Sequence, residues 1–255
     1  MRYTSKRYLE RQIRRKAGQA IHDYRMVEDG DRVIVAVSGG KDSIVLMKIL
    51  AVLKKAAPVA FDLFPVHIRT GYEAGIETVA DWMNEELGCE LLIRDSGISR
   101  IMTLVAEPEK SPCALCSRLR RGILYGMAGE MGAASVALGH HMDDIIETFL
   151  LRSFYTGQLG AMAPARVTDD GKNRVIRPLA YCTTELIEAY FPYLEVEPVT
   201  VTCPIRRDSK RGLIRGYIKQ LERDIPCLKH SIFASLGNID TRSLCVKENI
   251  HADPD

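Results

Sequence analysis

The sequence predicts an α/β protein built on a doubly wound, mostly parallel five-stranded sheet. Strand-like apolar runs and helical patterns alternate along most of the chain, and at these lengths such alternation implies parallel strands with helices on both faces. The run Val33 to Val37 is wholly apolar and mostly β-branched, as a strand covered on both sides should be. A chain of 255 residues, 46% hydrophobic and 27% charged, can bury a full core in one large domain, or in one domain with a small addition.

In chain order, residues 5–27 are expected to form a basic helix that ends at the Glu-Asp-Gly-Asp turn of 28–31. Strands are expected at 33–37, 59–68, 90–94, 134–139 and 173–177, with helices at 43–57, 74–87, 117–131 and 142–155. Three glycines, Pro164 and Asp169-Asp170 mark 157–173 as a surface loop. After Pro178 the texture changes to a short helix at 183–190, prolines at 192, 198 and 204, and helices near 209–223 and 227–236. The expected division is a basic N-terminal segment at 1–28, a nucleotide-binding sheet domain at 29–182 and a helical C-terminal region at 183–255.

Composition excludes some classes of function. No apolar run approaches the ~18 residues of a membrane span, and no secretory signal is evident, so a cytoplasmic protein without a membrane partner is expected. Seven cysteines, an odd number, suit a reducing compartment and metal or redox roles. The net charge of +2 is unevenly spread. Residues 1–25 hold eight Lys/Arg against Glu10 and Asp23, and a second basic cluster spans 204–223. Such stripes collect phosphates along a nucleic-acid backbone; a solvated helix face is the alternative.

The strand at 33–37 runs into Ser38-Gly39-Gly40-Lys41-Asp42-Ser43 and then a long apolar helix. That order aims backbone N–H groups and a helix N-terminus at one point, which suits a phosphate chain. The glycines remove Cβ atoms that would block a close-lying anion. Lys41 can neutralise departing phosphate charge, and the two serine hydroxyls can donate to its oxygens. Asp42 suits a helix cap, a magnesium contact, or both. The spacing is not that of a Walker A loop. These six residues resemble the pyrophosphate-binding loop of the PP-loop ATP-pyrophosphatase superfamily. The resemblance implies that they surround ATP, and that ATP is split between its α and β phosphates.

Cys113-Ala-Leu-Cys116 is expected where a loop enters a helix. Its spacing alone fits a structural zinc half-site, a redox dithiol or two iron–sulfur ligands. Arg118, Arg120 and Arg121 are expected to lower the thiol pKa. Gly139-His140-His141-Met142-Asp143-Asp144 follows a strand and opens a helix, so its acids would be stabilised there whatever their role. Together with Phe154-Tyr-Thr-Gly, Ile176-Arg-Pro-Leu-Ala-Tyr-Cys182 and Val201-Thr-Cys203-Pro, these segments resemble the tRNA 2-thiocytidine synthetase family over about residues 10–246.

That resemblance implies a PP-loop, adenine nucleotide alpha hydrolase-like fold and an ATP-dependent tRNA sulfurtransferase. Such an enzyme adenylates the C2 carbonyl of a tRNA pyrimidine, most simply cytidine, and replaces its oxygen with sulfur. It further implies a [4Fe–4S] cluster on Cys113, Cys116 and Cys203, and Gly139 beside the nucleotide. Asp143 would be the catalytic or magnesium-associated carboxylate with Asp144 second, and Arg177 would meet phosphate or the RNA acceptor. Its cofactors would be ATP, Mg2+ and the cluster. Its partners would be tRNA and a sulfide or persulfide donor such as a cysteine desulfurase, and a homodimer is compatible with it. Cys89, Cys182, Cys227 and Cys245 read as buried small hydrophobes.

The chain departs from the family pattern at His67-Ile68-Arg69-Thr70, where an acidic turn is usual, and at Thr200, where another cysteine is common. A zinc site completed by a fourth residue, a tRNA-lysidine-synthetase-like ligase and a zinc-stabilised RNA-binding module remain as alternatives.

Overall fold

A computed structural model of the chain describes residues 5–105, 112–203 and 210–245. It opens with helix α1 (Lys6–Asp23), capped by the Ser5 hydroxyl on the Tyr8 N–H at 3.3 Å. Leu9, Ile13, Ala17 and Ala20 are buried at helical spacing, and the arginines fall between them. Strand β1 (Asp31–Ala36) leads into α2 (Lys41–Lys54). Next come β2 (Phe61–Arg69), β3 (Glu73–Ala74), α3 (Ile76–Leu87), β4 (Leu92–Asp95) and α4 (Ile98–Val105). Then follow α5 (Pro112–Glu130), β5 (Ser135–Ala137), α6 (Met142–Thr156), β6 (Ala165–Val167) and β7 (Arg174–Ile176). The described chain ends with α7 (Thr184–Tyr190), β8 (Thr200–Val201), α8 (Lys210–Leu221) and α9 (Leu228–Ser235).

The sheet runs β4-β2-β1-β5-β7-β6. All five expected strands are present and parallel to their neighbours, and β6 is added antiparallel at one edge. β6 lies within the stretch expected to be a surface loop, where glycines and Pro164 obscure a three-residue strand. A two-stranded ribbon, β3 with β8, forms apart from the main sheet.

Side chains alternate across the sheet as a period of two demands. Val33, Val35 and Val37 join α1, α2, α3 and α7 in one core, whereas Ile34, Val66, Ile68, Val136 and Val175 join α4 and α5 in another. Strand order reverses between β1 and β5. In doubly wound sheets the crevice for ligands opens at that reversal, beyond the carboxyl ends of the strands.

Two compact units emerge among the described residues. The first holds 5–105, 112–145 and 162–203, and the second holds 146–161 and 210–245. Within the second, Glu147 is buried and accepts from Arg211 at 3.1 Å and from Arg215 at 2.8 Å. Lys210 stands over the Tyr155 ring at 4.2 Å. Three cations of the second basic cluster are thus engaged within the unit. Residues 204–209 of that cluster, and Arg2 of the first, lie outside the described residues. Among the described residues, no helix is long and apolar enough to cross a membrane.

Candidate active site at the sheet reversal

The Ser38–Ser43 loop and the 139–144 segment emerge side by side because β1 and β5 pair in register, Val35 opposite Ala137. Gly39 turns with φ near +80°, and its carbonyl accepts from the Val199 N–H at 2.9 Å. A Cβ at Gly39 would run into the Val199 side chain. Gly139 lies against the backbone of Asp42 and Ser43, where an added Cβ would stand 3.1 Å from Asp42 C and Ser43 N. Two glycines therefore let three pieces of backbone close on one crevice.

Gly40 occupies the cap position of α2, with no side-chain cap bond. Asp42 sits in the first turn of the helix, so it is not the cap that the sequence suggested. Ser43 Oγ donates to the Gly40 carbonyl at 2.8 Å and lies 3.1 Å from Ser38 Oγ, which accepts the Gly40 N–H at 3.3 Å. Lys41 Nζ is paired with Glu188 of α7. Burial raises the Asp42 pKa; His141 and Lys41 oppose that shift, and Asp144 and Glu188 reinforce it. Asp42 Oδ1 is buried without a hydrogen-bond partner. Such an orphaned carboxylate oxygen suits a divalent cation.

Asp143 and Asp144 open α6 and do different things. Asp143 is buried, and its Oδ2 accepts the Thr184 N–H at the start of α7 at 2.8 Å. Asp144 reaches back to the His141 N–H at 3.2 Å and lies 3.4 Å from His141 Nε2. Arg177 extends the β7 ladder by donating its N–H to the Pro164 carbonyl at 2.8 Å, and its guanidinium donates to the Ala163 carbonyl. Burial lowers its pKa to about 10, Tyr125 acts against that shift, and Arg121 and Arg166 add to it.

At the position of the family's acidic turn, His67 is buried, with Nδ1 2.8 Å from the Val37 carbonyl. A carbonyl only accepts, so Nδ1 carries the proton and His67 ties β2 to the end of β1. Burial keeps its pKa low. Arg69 pairs with Glu77 at 2.7 Å and with Asp95 at 3.6 Å.

Cys113 and Cys116 both lie on α5, which begins at Pro112, earlier than the sequence suggested. Three residues apart on a helix, they share a face. Cys203 arrives by the ribbon, where Glu73 pairs with Val201 and the Thr202 N–H donates to the Tyr72 carbonyl at 2.9 Å. The Glu73 carboxylate organises that turn by accepting from the Thr70 hydroxyl at 2.6 Å and from the N–H groups of Thr70, Gly71 and Tyr72. Cys116 is close enough to feel the charge of Cys113, Cys203 and Glu73. Among the described residues, no three His, Cys, Asp or Glu side chains meet at metal-holding distance.

The arginines of α5 do not win at Cys116 as expected. Burial raises its pKa, and Arg120 opposes that only in part. Of the remaining cysteines, Cys182 is fully buried and its thiol is pushed up to about 12. Cys89 is half-buried, whereas Cys227 and Cys245 are exposed and are not the core residues expected. Glu73, Glu188 and Arg166 were missed in the sequence: Glu188 meets Lys41 from far along the chain, while the partners of Glu73 and Arg166 are local and form no recognisable motif.

Comparison with known proteins identifies the family and the fold. A family described as the PP-loop domain matches residues 9–218. The chain is 42% identical over 233 residues to a tRNA-cytidine(32) 2-sulfurtransferase of Pseudomonas fluorescens, covering 91% of this chain and 85% of that one. It is 40% identical over 232 residues to the protein of the same name from a Marinomonas species, covering 91% and 83%. The U34-tRNA thiolase NcsA from Methanococcus maripaludis, solved with its [4Fe-4S] cluster, superposes with a TM-score of 0.76 at 22% identity over 94% of this chain and 84% of that one, and so shares its fold. The chain belongs to the PP-loop family and, within it, to the tRNA-cytidine(32) 2-sulfurtransferase family.

Proposed function

We propose that the protein is an ATP-dependent tRNA sulfurtransferase that converts a cytidine of tRNA to 2-thiocytidine, with release of pyrophosphate and AMP. The observation that carries this reading is one fold holding both a lysine-bearing helix N-terminus without a side-chain cap at the sheet reversal and a cysteine pair on one face of α5, with Cys203 following the ribbon. Adenylation makes the C2 oxygen of the base a good leaving group, and sulfur can then replace it. Oxygen leaves with AMP, so the base is neither oxidised nor reduced overall.

Lys41 would exchange Glu188 for the phosphates and neutralise charge on the outgoing pyrophosphate. Ser43 already donates to Gly40, which leaves the Ser38 hydroxyl as the one to turn toward phosphate. Asp42, with its orphaned oxygen, would hold Mg2+ together with Asp144. Mg2+ supplies charge neutralisation there when bound. The sequence favoured Asp143 for that role, but its bond to Thr184 fits it better for fixing α7 against α6. Arg177 would meet phosphate or the RNA acceptor.

Cys113, Cys116 and Cys203 fit a [4Fe–4S] cluster by donor chemistry, with two of them on one face of α5 and the third at the end of the ribbon. Held by three cysteines, the cluster would supply a seat for sulfide; sulfur from a persulfide donor such as a cysteine desulfurase would need two electrons from a thiol reductant to arrive at that level. Burial favours the protonated thiol at Cys116, and iron binding would displace that proton. The target base must leave its stack to reach the crevice, so a loop nucleotide suits it better than a paired one. The exposed cations of α1 would meet the RNA backbone. A cytoplasmic setting, where thiols stay reduced, belongs to the same reading.

Mass spectrometry of tRNA nucleosides from cells lacking the protein tests the proposal. Loss of 2-thiocytidine is expected. Unchanged 2-thiocytidine with loss of a thiouridine would overturn the assigned base.

A further inference from the structure

Three guanidiniums gather on one face of the sheet edge with no role assigned to two of them. Val175 of β7 faces the core that includes Leu119, Ile123 and Tyr125 of α5. Arg166 on β6 stands opposite Val175 and therefore shares that face. The ladder continues through the Arg177 N–H to the Pro164 carbonyl, so Arg177, two residues beyond Val175, shares it too. Arg121 lies one turn before Tyr125 on α5, above the same face.

Like charges repel, and both Arg121 and Arg166 disfavour the charge on Arg177. Arg177 Nε is buried without a hydrogen-bond partner, although the guanidinium also donates to the Ala163 carbonyl. The acids nearby are few. Asp144 acts on Arg177 from α6, and the exposed Asp169 pairs with Arg166. A buried donor left unsatisfied beside two further cations is costly unless an anion completes the group.

The geometry points to an anion seat formed by Arg121, Arg166 and Arg177, and its occupant is a backbone phosphate of the RNA substrate. This inference rests on the tRNA-modifying reading above. A phosphate bound there would anchor the strand beside Asp144 and the nucleotide crevice. RNA is favoured over the ATP phosphates because Arg121 and Arg166 are exposed at the sheet edge, whereas the nucleotide loop lies at the reversal between β1 and β5. Asp169 would compete with that phosphate for Arg166.

The test is binding of an unmodified tRNA transcript across a salt series, by fluorescence anisotropy, with ATP affinity measured in parallel by calorimetry. The Arg121→Ala/Arg166→Ala double variant should bind tRNA about tenfold more weakly. Its log–log salt slope should be shallower by about 1 to 2, with ATP affinity unchanged. Asp169→Asn should shift tRNA binding the other way, because it frees Arg166. Wild-type tRNA affinity and salt slope in the double variant would overturn the seat, as would a loss confined to ATP. Thiolation by the wild-type protein, assayed alongside, separates the two failures. Thiolating wild type with unchanged variant binding defeats the seat alone. Absent wild-type thiolation with weakened variant binding defeats the functional reading and leaves a polyanion seat.

Discussion

The nucleotide crevice and the thiol seat are built in opposite ways. The crevice is specified by backbone, through Gly39 turning beneath Val199, Gly139 resting on Asp42 and Ser43, and two adjacent parallel strands that deliver both segments. The thiols come from two stretches far apart in the chain, α5 and the end of the ribbon. The third cysteine hangs from a ribbon with two residues in each strand, braced by Glu73. Substitution should therefore damage the crevice through sterics, and the seat through loss of ligands or of the ribbon.

Glycine substitutions break or sharpen that comparison most strongly. Gly139→Ala places a Cβ against backbone that cannot swing aside, so it should cost about 1–3 kcal/mol by urea denaturation and weaken ATP binding. Gly126, on the same helix as Cys113 and Cys116, has open space where its Cβ would stand, and its exposed helical site favours alanine. Gly126→Ala should add about 0.5–1 kcal/mol. If both substitutions proved neutral, the crevice would not depend on close backbone approach.

A smaller effect belongs to Glu188. It holds Lys41 through side chains that are 37% and 51% exposed, so solvent screens the pair and its energy is slight. Glu188→Gln removes a competitor for the lysine and should lower KM for ATP about two- to fivefold. An unchanged or raised KM would show that Glu188 does not stand in the way of phosphate.

The same contrast explains what the sequence revealed. The Ser38–Ser43 loop was legible because glycine, lysine and serine at fixed short spacing define its chemistry locally. The five parallel strands were legible through short apolar runs alternating with helical patterns. β6, the ribbon and α4 were not, because three-residue and two-residue strands, and an eight-residue helix, carry too little periodicity to stand out. Cys113, Cys116 and Cys203 were recognisable as residue types, but the turn that steers Cys203 depends on Glu73, whose partners give no pattern in the sequence. The basic cluster of 204–223 read as an RNA surface, yet Arg211 and Arg215 are tied to the buried Glu147. A charge count cannot distinguish a cation held by the protein from one open to a ligand.

The central claim is a division of labour, with nucleotide activation at the loop and sulfur delivery at the cysteines. It is tested most directly by measuring ATP affinity, tRNA-dependent pyrophosphate release and 2-thiocytidine formation together in Cys113→Ala and Lys41→Ala, each prepared without oxygen. Cys113→Ala should bind ATP like the wild type and form no 2-thiocytidine. Lys41→Ala should keep the visible absorbance of an iron–sulfur protein, while pyrophosphate release falls about 100- to 1,000-fold. Loss of ATP binding in Cys113→Ala, or an unchanged rate of pyrophosphate release in Lys41→Ala, would contradict the account.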